Sequence, residues 1–391
     1  DKMTDKRVWK YWSAENKWGN LDKNPDPVAR DNIMYSGYLG CMIGMYETMH
    51  PDQPYSKPDS LSLKWNEETC FNYDFNSLNG AIYKNFDSSV HTLFPCEPNW
   101  VYSMCNSFAI NSLKMGDRLN GTHYYEDIQE RYLRSLKTEY MSVDGHFIPI
   151  RSTVWGVVVP WLNMDLNDGI CTFLNHSIDP TLSESCWQYY RKRRFDSTMS
   201  SKGEYRIQRS TLFDLGNYKP NRAGTIAMLM LSAKELGDMQ SYTALLHSLN
   251  KSKNPLKVIG EDIEYVGASN LTVFSMAMAR LTRPGAFYDM VNHGMPEQWL
   301  NGPILNKVPY PDIFVKRAVN NETTLSLVLK STNAITQFKM EIARLQKNAT
   351  YQIPQLNNQQ FQSDSGGFAV IELPISGELT LDIIPLDTST H

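Results

Sequence analysis

The sequence lacks the long apolar run that a membrane-spanning helix needs. Its longest apolar stretches, Gly224 to Ala233 and Trp155 to Leu162, are well short of the roughly 18 residues required. It also lacks a glycine-rich phosphate loop, a dinucleotide-binding fingerprint and a Ser-His-Asp signature. These absences argue against a membrane span in this chain, a nucleotide-binding enzyme and a serine hydrolase.

The sequence also has no excess of positive charge. The formal net charge is -4, and one basic run is present, Arg191-Lys192-Arg193-Arg194. Proteins that bind nucleic acid usually carry a large basic surface that neutralises phosphates. We therefore predict no nucleic-acid partner and interpret the run as a solvated helix face.

Cysteine is present in a small even number and does not follow a metal-ligand spacing. The cysteines are Cys41, Cys70, Cys96, Cys105, Cys171 and Cys186. No Cys/His cluster with zinc spacing accompanies them, so we predict no metal site. Cys171 and Cys186 flank a loop and could form a structural disulfide in an oxidising compartment, although buried cysteines are often plain packing residues.

N-glycosylation sequons occur in modest excess. They begin at Asn120, Asn175, Asn250, Asn270, Asn321 and Asn348. Together with the even cysteine count, they favour a secretory or extracellular location for a glycoprotein. The opening residues, Asp1-Lys2-Met3, are typical of a processed or trimmed chain.

The spacing of apolar residues changes along the chain. Helical periodicity predicts a helix that starts near Ile33, and further helices over 123–140, 222–236, 241–249 and 271–281. Few strands are expected before residue 310, after which four alternating runs predict a small antiparallel β-sandwich. We therefore predict a mainly α-helical domain over 1–305, followed by a β-sandwich-like domain over 306–391.

The segment from Cys96-Glu97-Pro98 to Cys105 is the strongest candidate for chemistry. Pro98 favours a helix start, which would leave Cys96 and Glu97 in the entry loop and put Cys105 about two turns into the helix. Burial raises the pKa of carboxyl and thiol groups, so such groups can hold and donate a proton at neutral pH. From spacing alone, two buried packing thiols are the simpler interpretation.

Two further candidates have ordinary structural explanations. Asp74 lies between Tyr73 and Phe75, so it could be a pocket acid, but a turn or helix cap is the more common role. His146 follows Asp144-Gly145, a turn pattern, and is interpreted as a loop histidine rather than a base.

An ordered set of motifs resembles the linalool dehydratase/isomerase family over roughly residues 1–285. The most specific motif is Cys96-Glu97-Pro98 followed by Cys105-Asn106-Ser107. The remaining motifs are Lys6-Arg7-Val8-Trp9 with Trp12, Asn32-Ile33-Met34-Tyr35-Ser36-Gly37-Tyr38-Leu39, Arg118-Leu119-Asn120-Gly121-Thr122, and Glu235-Leu236-Gly237-Asp238 with Leu245-Leu246.

The resemblance implies an (α/α)6-type toroid, which could be incomplete at its N-terminus, with a deep apolar pocket near a subunit interface. It implies a cofactor-independent enzyme, a homo-oligomer, that removes water from an allylic terpene alcohol or isomerises it. Cys96, Glu97 and Cys105 match family active-site positions, and Met34 matches a pocket position beside Tyr35. Trp155 matches a family aromatic loosely.

Three departures separate this chain from the family pattern. Tyr38 stands where the family has His, and the ordinary pKa of Tyr, about 10, makes it a far weaker acid–base group at neutral pH than His, with about 6.5. The family also has a helical segment with a catalytic Asp and Tyr, which precedes the part that this sequence resembles. The β-rich region after residue 310 is an addition.

Three functions follow from these observations. The first is a lyase or isomerase of a hydrophobic terpenoid, with proton transfer among Cys96, Glu97, Cys105 and Tyr38. Its pocket wall would include Met34, Tyr35, Asp74, Trp100, Tyr102 and Trp155, of which the aromatic side chains could stabilise a developing cation. The second is a cyclase or pericyclase of a terpenoid or polyketide secondary metabolite, which needs mainly shape and orientation.

The third is a glycan-processing enzyme that uses Glu97 and Asp74 as a carboxylate pair. A non-catalytic binding protein is a further alternative. A closed apolar pocket favours the first two functions, whereas an open polar cleft favours the third.

Overall fold

The chain forms two compact units, Asp1–Gly294 and Met295–His391. The computed structural model describes residues 2–50, 52–159, 164–195, 214–251, 256–259, 262–332 and 337–386. As predicted, helices dominate the first part of the chain and antiparallel sheets the last. The predicted domains, 1–305 and 306–391, have their boundary later in the sequence than the division between the two units, which falls after Gly294.

Several helices begin at a polar residue whose side chain caps the first turn. For example, the Asp179 and Asp238 carboxylates accept backbone N–H groups at the first turns of their helices. The helices are α1 Lys6–Trp9, α2 Trp12–Gly19, α3 Ile33–Met49, α4 Phe75–Ser88, α5 Ser103–Asn120, α6 Tyr124–Glu139, α7 Met164–Asn175, α8 Pro180–Tyr190, α9 Arg222–Glu235, α10 Met239–Asn250, α11 Asn270–Leu281, α12 Ala286–Asn292 and α13 Glu297–Asn301. No helix in these described segments has the length and apolar character to cross a membrane.

Three short antiparallel pairs interrupt the helical unit, where few strands are expected from the sequence. They pair β1 Leu61–Lys64 with β2 Cys70–Tyr73, β3 Trp100–Tyr102 with β4 Ile150–Ser152, and β5 Leu256–Ile259 with β6 Asp262–Tyr265. Each strand has only three or four residues, too few for an alternating apolar pattern to be visible in the sequence.

Helices α3 and α5 pack closely because α3 carries glycines on the shared face. A Cβ built on Gly37 would lie 3.0 Å from Ala109 Cβ and 3.2 Å from the Cys105 carbonyl oxygen. A Cβ on Gly40 would lie 2.3 Å from Ser112 Oγ. The absence of these side chains brings the segment of α3 that contains Tyr38 against the first turn of α5.

The second unit contains two antiparallel sheets. One has the strand order β13-β10-β7 and the other β12-β11-β14-β9-β8. Buried side chains of both sheets, among them Leu327, Phe338, Ile371 and Leu381, belong to one hydrophobic core. The strands are β7 Ile304–Lys307, β8 Ile313–Asn320, β9 Leu325–Ser331, β10 Gln337–Ala343, β11 Thr350–Ile353, β12 Gln359–Gln362, β13 Ala369–Pro374 and β14 Glu378–Pro385.

The disulfide considered for Cys171 and Cys186 is not formed. All the cysteines of the sequence lie in described segments, and all are free thiols. Cys171 Sγ instead contacts Ser103 Oγ at 3.6 Å and Asn167 Oδ1 at 3.7 Å. Cys171 therefore serves as a buried packing residue between α5 and α7.

The structure excludes one of the predicted glycosylation sites in the folded protein. Asn175 is 0% exposed, and its Nδ2 donates to Ser107 Oγ at 2.8 Å and to the Cys171 carbonyl oxygen at 2.9 Å. An amide that is buried and bonded in this way cannot accept a glycan. Asn120 is half-buried, whereas Asn250, Asn270, Asn321 and Asn348 are exposed.

The basic run extends α8 by one wide turn, Arg191–Phe195. Arg191 pairs with Asp238 at 3.1 Å, and Arg193 forms an ion pair with Asp144. Two of its four positive charges are thus engaged with carboxylates, which fits its interpretation as a solvated helix end.

Candidate active site

The segment that follows Cys96 is a tight turn rather than a helix start. The Cys96 N–H donates to the Trp100 carbonyl at 2.8 Å, and the Trp100 N–H donates to the Glu97 carbonyl at 2.9 Å. The prediction that Pro98 begins a helix is therefore wrong. Residues 100–102 pair with residues 150–152 as β3 and β4, so α5 starts only at Ser103 and Cys105 lies in its first turn.

Asn106 fixes this turn to α5. Its Oδ1 accepts the Phe94 N–H at 3.0 Å, and its Nδ2 donates to the carbonyl oxygens of Phe94, at 3.1 Å, and Tyr102, at 2.9 Å. Because Asn106 follows Cys105 directly, these bonds hold the chain that leads into Cys96 beside the Cys105 thiol.

Cys96 and Cys105 form a buried pair of thiols, 3% and 2% exposed. The neighbouring Cys105 side chain, together with burial, raises the pKa of Cys96 well above its usual range. The backbone N–H of Met34 acts in the opposite direction, but more weakly. Cys96 is therefore a protonated thiol at neutral pH, able to act as a donor.

Glu97 is half-buried, and its Oε2 is a buried oxygen without a hydrogen-bond partner among the described residues. Burial is the main cause that raises the pKa of Tyr11, and the charges of Cys96 and Glu97 add to it. Burial, with a smaller effect of Glu97, also raises the pKa of Tyr102. A buried oxygen with unused bonding capacity is costly unless something else binds it.

Tyr38 connects the thiol pair to the pocket. Burial, followed by the nearby Cys105 and Cys96 thiols, raises its pKa well above the usual value. Its ring lies on Phe108, with a centroid distance of 4.1 Å. The phenol consequently keeps its proton at neutral pH and can donate it, but it cannot serve as the base that a histidine would provide.

An apolar cavity of about 290 Å³ is lined by Tyr38 and by Met104, the residue before Cys105, whereas Cys96, Glu97 and Cys105 do not line it. Three of the predicted residues, Met34, Tyr35 and Tyr38, line it, and all three project from the first turns of α3. The other lining residues are Met3, Val8, Tyr11, Met104, Leu215, Tyr218 and Leu271. The walls offer mainly carbon surface and phenol hydroxyls, which suits an apolar ligand that carries a small polar group.

Four predicted wall residues do not line this cavity. Trp155 is 75% exposed, so its assignment to the pocket is wrong. Asp74 caps α4, where its carboxylate accepts the Ser77 N–H at 2.8 Å, so it is not a pocket acid. Trp100 and Tyr102 are half-buried in β3, and Tyr102 faces Glu97 rather than the cavity.

Tyr11 is a site residue that the sequence predictions omit. It lines the cavity, its hydroxyl donates to Asn32 Oδ1 at 2.8 Å, and its pKa is raised by burial and then by Cys96, Glu97 and Cys105. Its position between Trp9 and Trp12 in a family motif was the available signal. Leu215, Tyr218 and Leu271 come from distant segments that carry no motif.

No group of three or more His, Cys, Asp and Glu side chains in the described segments is arranged to hold a metal ion. His146 lies elsewhere, where its Nδ1 contacts the buried Asp168 carboxylate at 2.5 Å. Asp74 is engaged as the cap of α4, and neither Glu97 nor Asp74 lines a cavity described here. The carboxylate pair needed by the glycan-processing hypothesis is therefore not formed.

Two comparisons bear on this arrangement. A family model described as "Linalool dehydratase/isomerase" matches residues 1–269, more than half of the chain. A solved structure of a polysaccharide lyase aligns with 75% of this chain and 97% of its own, with 12% sequence identity and a TM-score of 0.31. A likeness that weak carries no argument about fold or substrate.

Proposed function

The chain belongs to the linalool dehydratase/isomerase family, and from that premise we propose that it is a cofactor-independent lyase or isomerase of an allylic terpenoid alcohol. Family membership supports an enzyme of this general kind. The observation that carries the specific proposal is the pair of neighbouring buried thiols Cys96 and Cys105. They lie close to Tyr38, which lines an apolar cavity, and to the unpartnered Glu97 oxygen.

Dehydration needs a proton donor and a proton acceptor near the same carbon skeleton. A thiol or phenol proton from Cys96 or Tyr38 passes to the substrate hydroxyl, the C–O bond breaks, and water leaves. The Glu97 carboxylate then takes a proton from a neighbouring carbon and returns it to the donor, or Cys105 gives its own proton to the donor and takes the carbon proton as a thiolate. In both cases the carbon becomes part of the alkene. Addition of water at the other end of the allylic cation gives the isomer.

The cavity walls support the charged intermediate. The rings of Tyr11 and Tyr38 line the space that an allylic cation would occupy. Aromatic faces attract cations by roughly 0.5–2 kcal/mol, and more so where water is excluded. Retention of the phenol protons fits this role, because a neutral ring with its hydroxyl proton in place can both donate and stabilise.

Replacement of Cys105 by Ala tests the proposal. We expect turnover of a monoterpene allylic alcohol to fall by about 10²–10⁴-fold, the usual contribution of a positioned acid or base, with KM changed only a few-fold. Cys70→Ala is the matched control, because Cys70 is exposed on β2. Unchanged turnover in Cys105→Ala would contradict acid–base catalysis and favour the cyclase alternative, in which shape alone suffices.

The proposal includes three features beyond the site. We propose a secretory or extracellular location, which the exposed sequons at Asn250, Asn270, Asn321 and Asn348 support. We also propose that the helices of the first unit form the (α/α)6-type toroid of the family. A homo-oligomer with the site near its interface is the third feature.

A further inference from the structure

A second apolar cavity lies on the same helix as the candidate site. It has a volume of about 550 Å³ and is open to solvent along one side. Its walls come from α3, from residues 2–4 and from the segment that leads into β1 and includes its first residues. The lining residues are Lys2, Met3, Thr4, Leu39, Met42, Ile43, Tyr46, Tyr55, Ser60, Leu61 and Ser62. We call this cavity the α3 groove.

The site cavity and the α3 groove follow one another along α3. The first is lined by Met34, Tyr35 and Tyr38, and the second begins at Leu39 and continues to Tyr46. A helix rises 1.5 Å per residue, so the groove extends roughly 12 Å beyond Tyr38. Residues four apart share one helix face, so one face of α3 lines both cavities.

Met3 is the residue that lines both cavities. Its backbone is held in place, because the Tyr35 hydroxyl donates to the Met3 carbonyl at 2.8 Å and the Trp9 indole N–H donates to the Thr4 carbonyl at 3.2 Å. The thioether side chain is unbranched and adapts its shape to its neighbours. The flexible side chain of Met3 therefore lies at the boundary between the site cavity and the α3 groove.

We propose that the α3 groove binds the distal hydrocarbon of the substrate, and that Met3 limits the chain length that passes into it. The natural substrates are then terpenoid alcohols longer than a monoterpene, with the allylic hydroxyl at the Cys96–Cys105 end. This inference rests on the proposed function. The site cavity alone is at the small end of ligand pockets, about 300–1,000 Å³, whereas the two together suit a longer chain.

Steady-state kinetics with monoterpene, sesquiterpene and diterpene allylic alcohols test the inference. Met42 is 51% exposed and lines the groove, so Met42→Trp fills the groove with little risk to folding. We expect kcat/KM for the sesquiterpene alcohol to fall by about tenfold or more, because each methylene excluded from an apolar pocket costs a large factor. We expect the value for the monoterpene alcohol to change less than about twofold.

Two more variants sharpen the test. Met3→Ala shortens the side chain at the boundary between the two cavities, and we expect it to raise kcat/KM for the diterpene alcohol several-fold relative to the monoterpene alcohol. Met49→Trp is the matched control, because Met49 is also an exposed methionine of α3, at 44%, but lines neither cavity. It should leave the chain-length profile of the wild type unchanged.

Equilibrium binding of the same alcohols to Cys105→Ala, followed by calorimetry, separates failure of this inference from failure of the proposed function. Affinity that rises with chain length and is lost in Cys105→Ala/Met42→Trp supports the groove even if no alcohol is turned over. Equal affinity for all three alcohols, unaffected by Met42→Trp, overturns it. Dissociation of an oligomer by Met42→Trp, seen by light scattering, also overturns it, because a second copy would then cover the groove.

Discussion

Lys114 shows how the fold changes the charge of a single side chain. Its Nζ donates to the Ser177 carbonyl at 2.7 Å and lies 4.9 Å from the centre of the Tyr125 ring. Burial lowers the pKa of Lys114 to about 8. In the unfolded chain a lysine has a pKa of about 10.4. Between these two values the unfolded state binds a proton that the folded state has lost.

Stability should therefore respond to pH through Lys114. Over pH 8 to about 10.4 the unfolded chain binds more protons, so the contribution of Lys114 to the free energy of unfolding rises with pH. Since solvent reaches part of the ammonium, we expect a change on the order of 1 kcal/mol. Urea unfolding at pH 7 and pH 9.5 should show that the free energy of unfolding of the wild type rises with pH relative to that of Lys114→Met.

The matched control for this measurement is Lys84→Met, because Lys84 is an exposed lysine of α4. Its difference from wild type should stay constant over the same pH range. A Lys114→Met difference that is likewise constant would show that burial does not perturb Lys114.

At the scale of single residues, the sequence offered site candidates mainly where a motif is present, and Tyr11 was not among them. Cys96, Glu97 and Cys105 are close in the chain, and the structure brings them together through Asn106. Tyr11 reaches the same place from a separate helical segment, through its bond to Asn32. Such proximity depends on helix packing, which no local pattern encodes.

Among the elements, the contact of α3 with α5 depends most on small residues. A Cβ at Gly40 would meet Ser112 Oγ at 2.3 Å and Ile82 Cδ1 at 3.2 Å, and Ser112 Oγ itself donates to Asn79 Oδ1 at 2.6 Å. No flexible side-chain end is available to move aside without loss of that buried bond. The helix pair has no room for one more carbon here.

Gly40→Ala should consequently destabilise the helical unit. Overpacking of a close contact typically costs about 1–3 kcal/mol, which outweighs the gain of up to about 1 kcal/mol from the better helix propensity of Ala. Thermal unfolding should show a lower Tm.

Gly80→Ala in α4 provides the comparison. Its nearest contact, to the Tyr124 hydroxyl, is an ordinary 3.4 Å, so Tm should be unchanged or higher. A Gly40→Ala variant as stable as Gly80→Ala would mean that α3 and α5 can separate without cost.

The start of α5 shows why element boundaries were the weak part of the prediction. Pro98 is a good first-turn residue, but β3 comes between it and the helix because Trp100 to Tyr102 pair with Ile150 to Ser152. That pairing joins segments about 50 residues apart. Long helices with an apolar stripe, such as the one at Tyr124–Glu139, needed no such partner and were predicted correctly.

For the whole molecule, the separation into two hydrophobic cores has functional meaning. One core belongs to the helical unit and the other to the sheets. Both cavities discussed above are lined only by residues of Asp1–Gly294. The switch from helical to alternating periodicity made this division visible in the sequence, whereas the paths by which the helices meet were not encoded in any local pattern.

Damage to the second core should therefore leave catalysis intact. Leu327 is 0% exposed in β9, so Leu327→Ala removes a fully buried side chain and should lower the free energy of unfolding of the second unit by about 2–5 kcal/mol. Below its transition temperature the variant should keep the kcat/KM of the wild type.

Val328→Ala changes a residue on the more exposed face of the same strand, so it should lower the free energy of unfolding by less than Leu327→Ala does. Loss of activity in folded Leu327→Ala would show that the second unit contributes to the reaction.

The buried amide of Asn175 has a consequence for how the chain is made. If the protein enters a compartment that glycosylates nascent chains, the sequon passes the modifying enzyme before α7 has packed. A sugar attached to Asn175 at that moment would prevent its amide from bonding to Ser107 and to the Cys171 carbonyl in the packed interior. In such a compartment, a molecule could mature only if this part of the helical unit packs before the enzyme acts, or if the enzyme leaves Asn175 unmodified. The yield of active protein in such a compartment would depend on whether folding precedes glycosylation of Asn175.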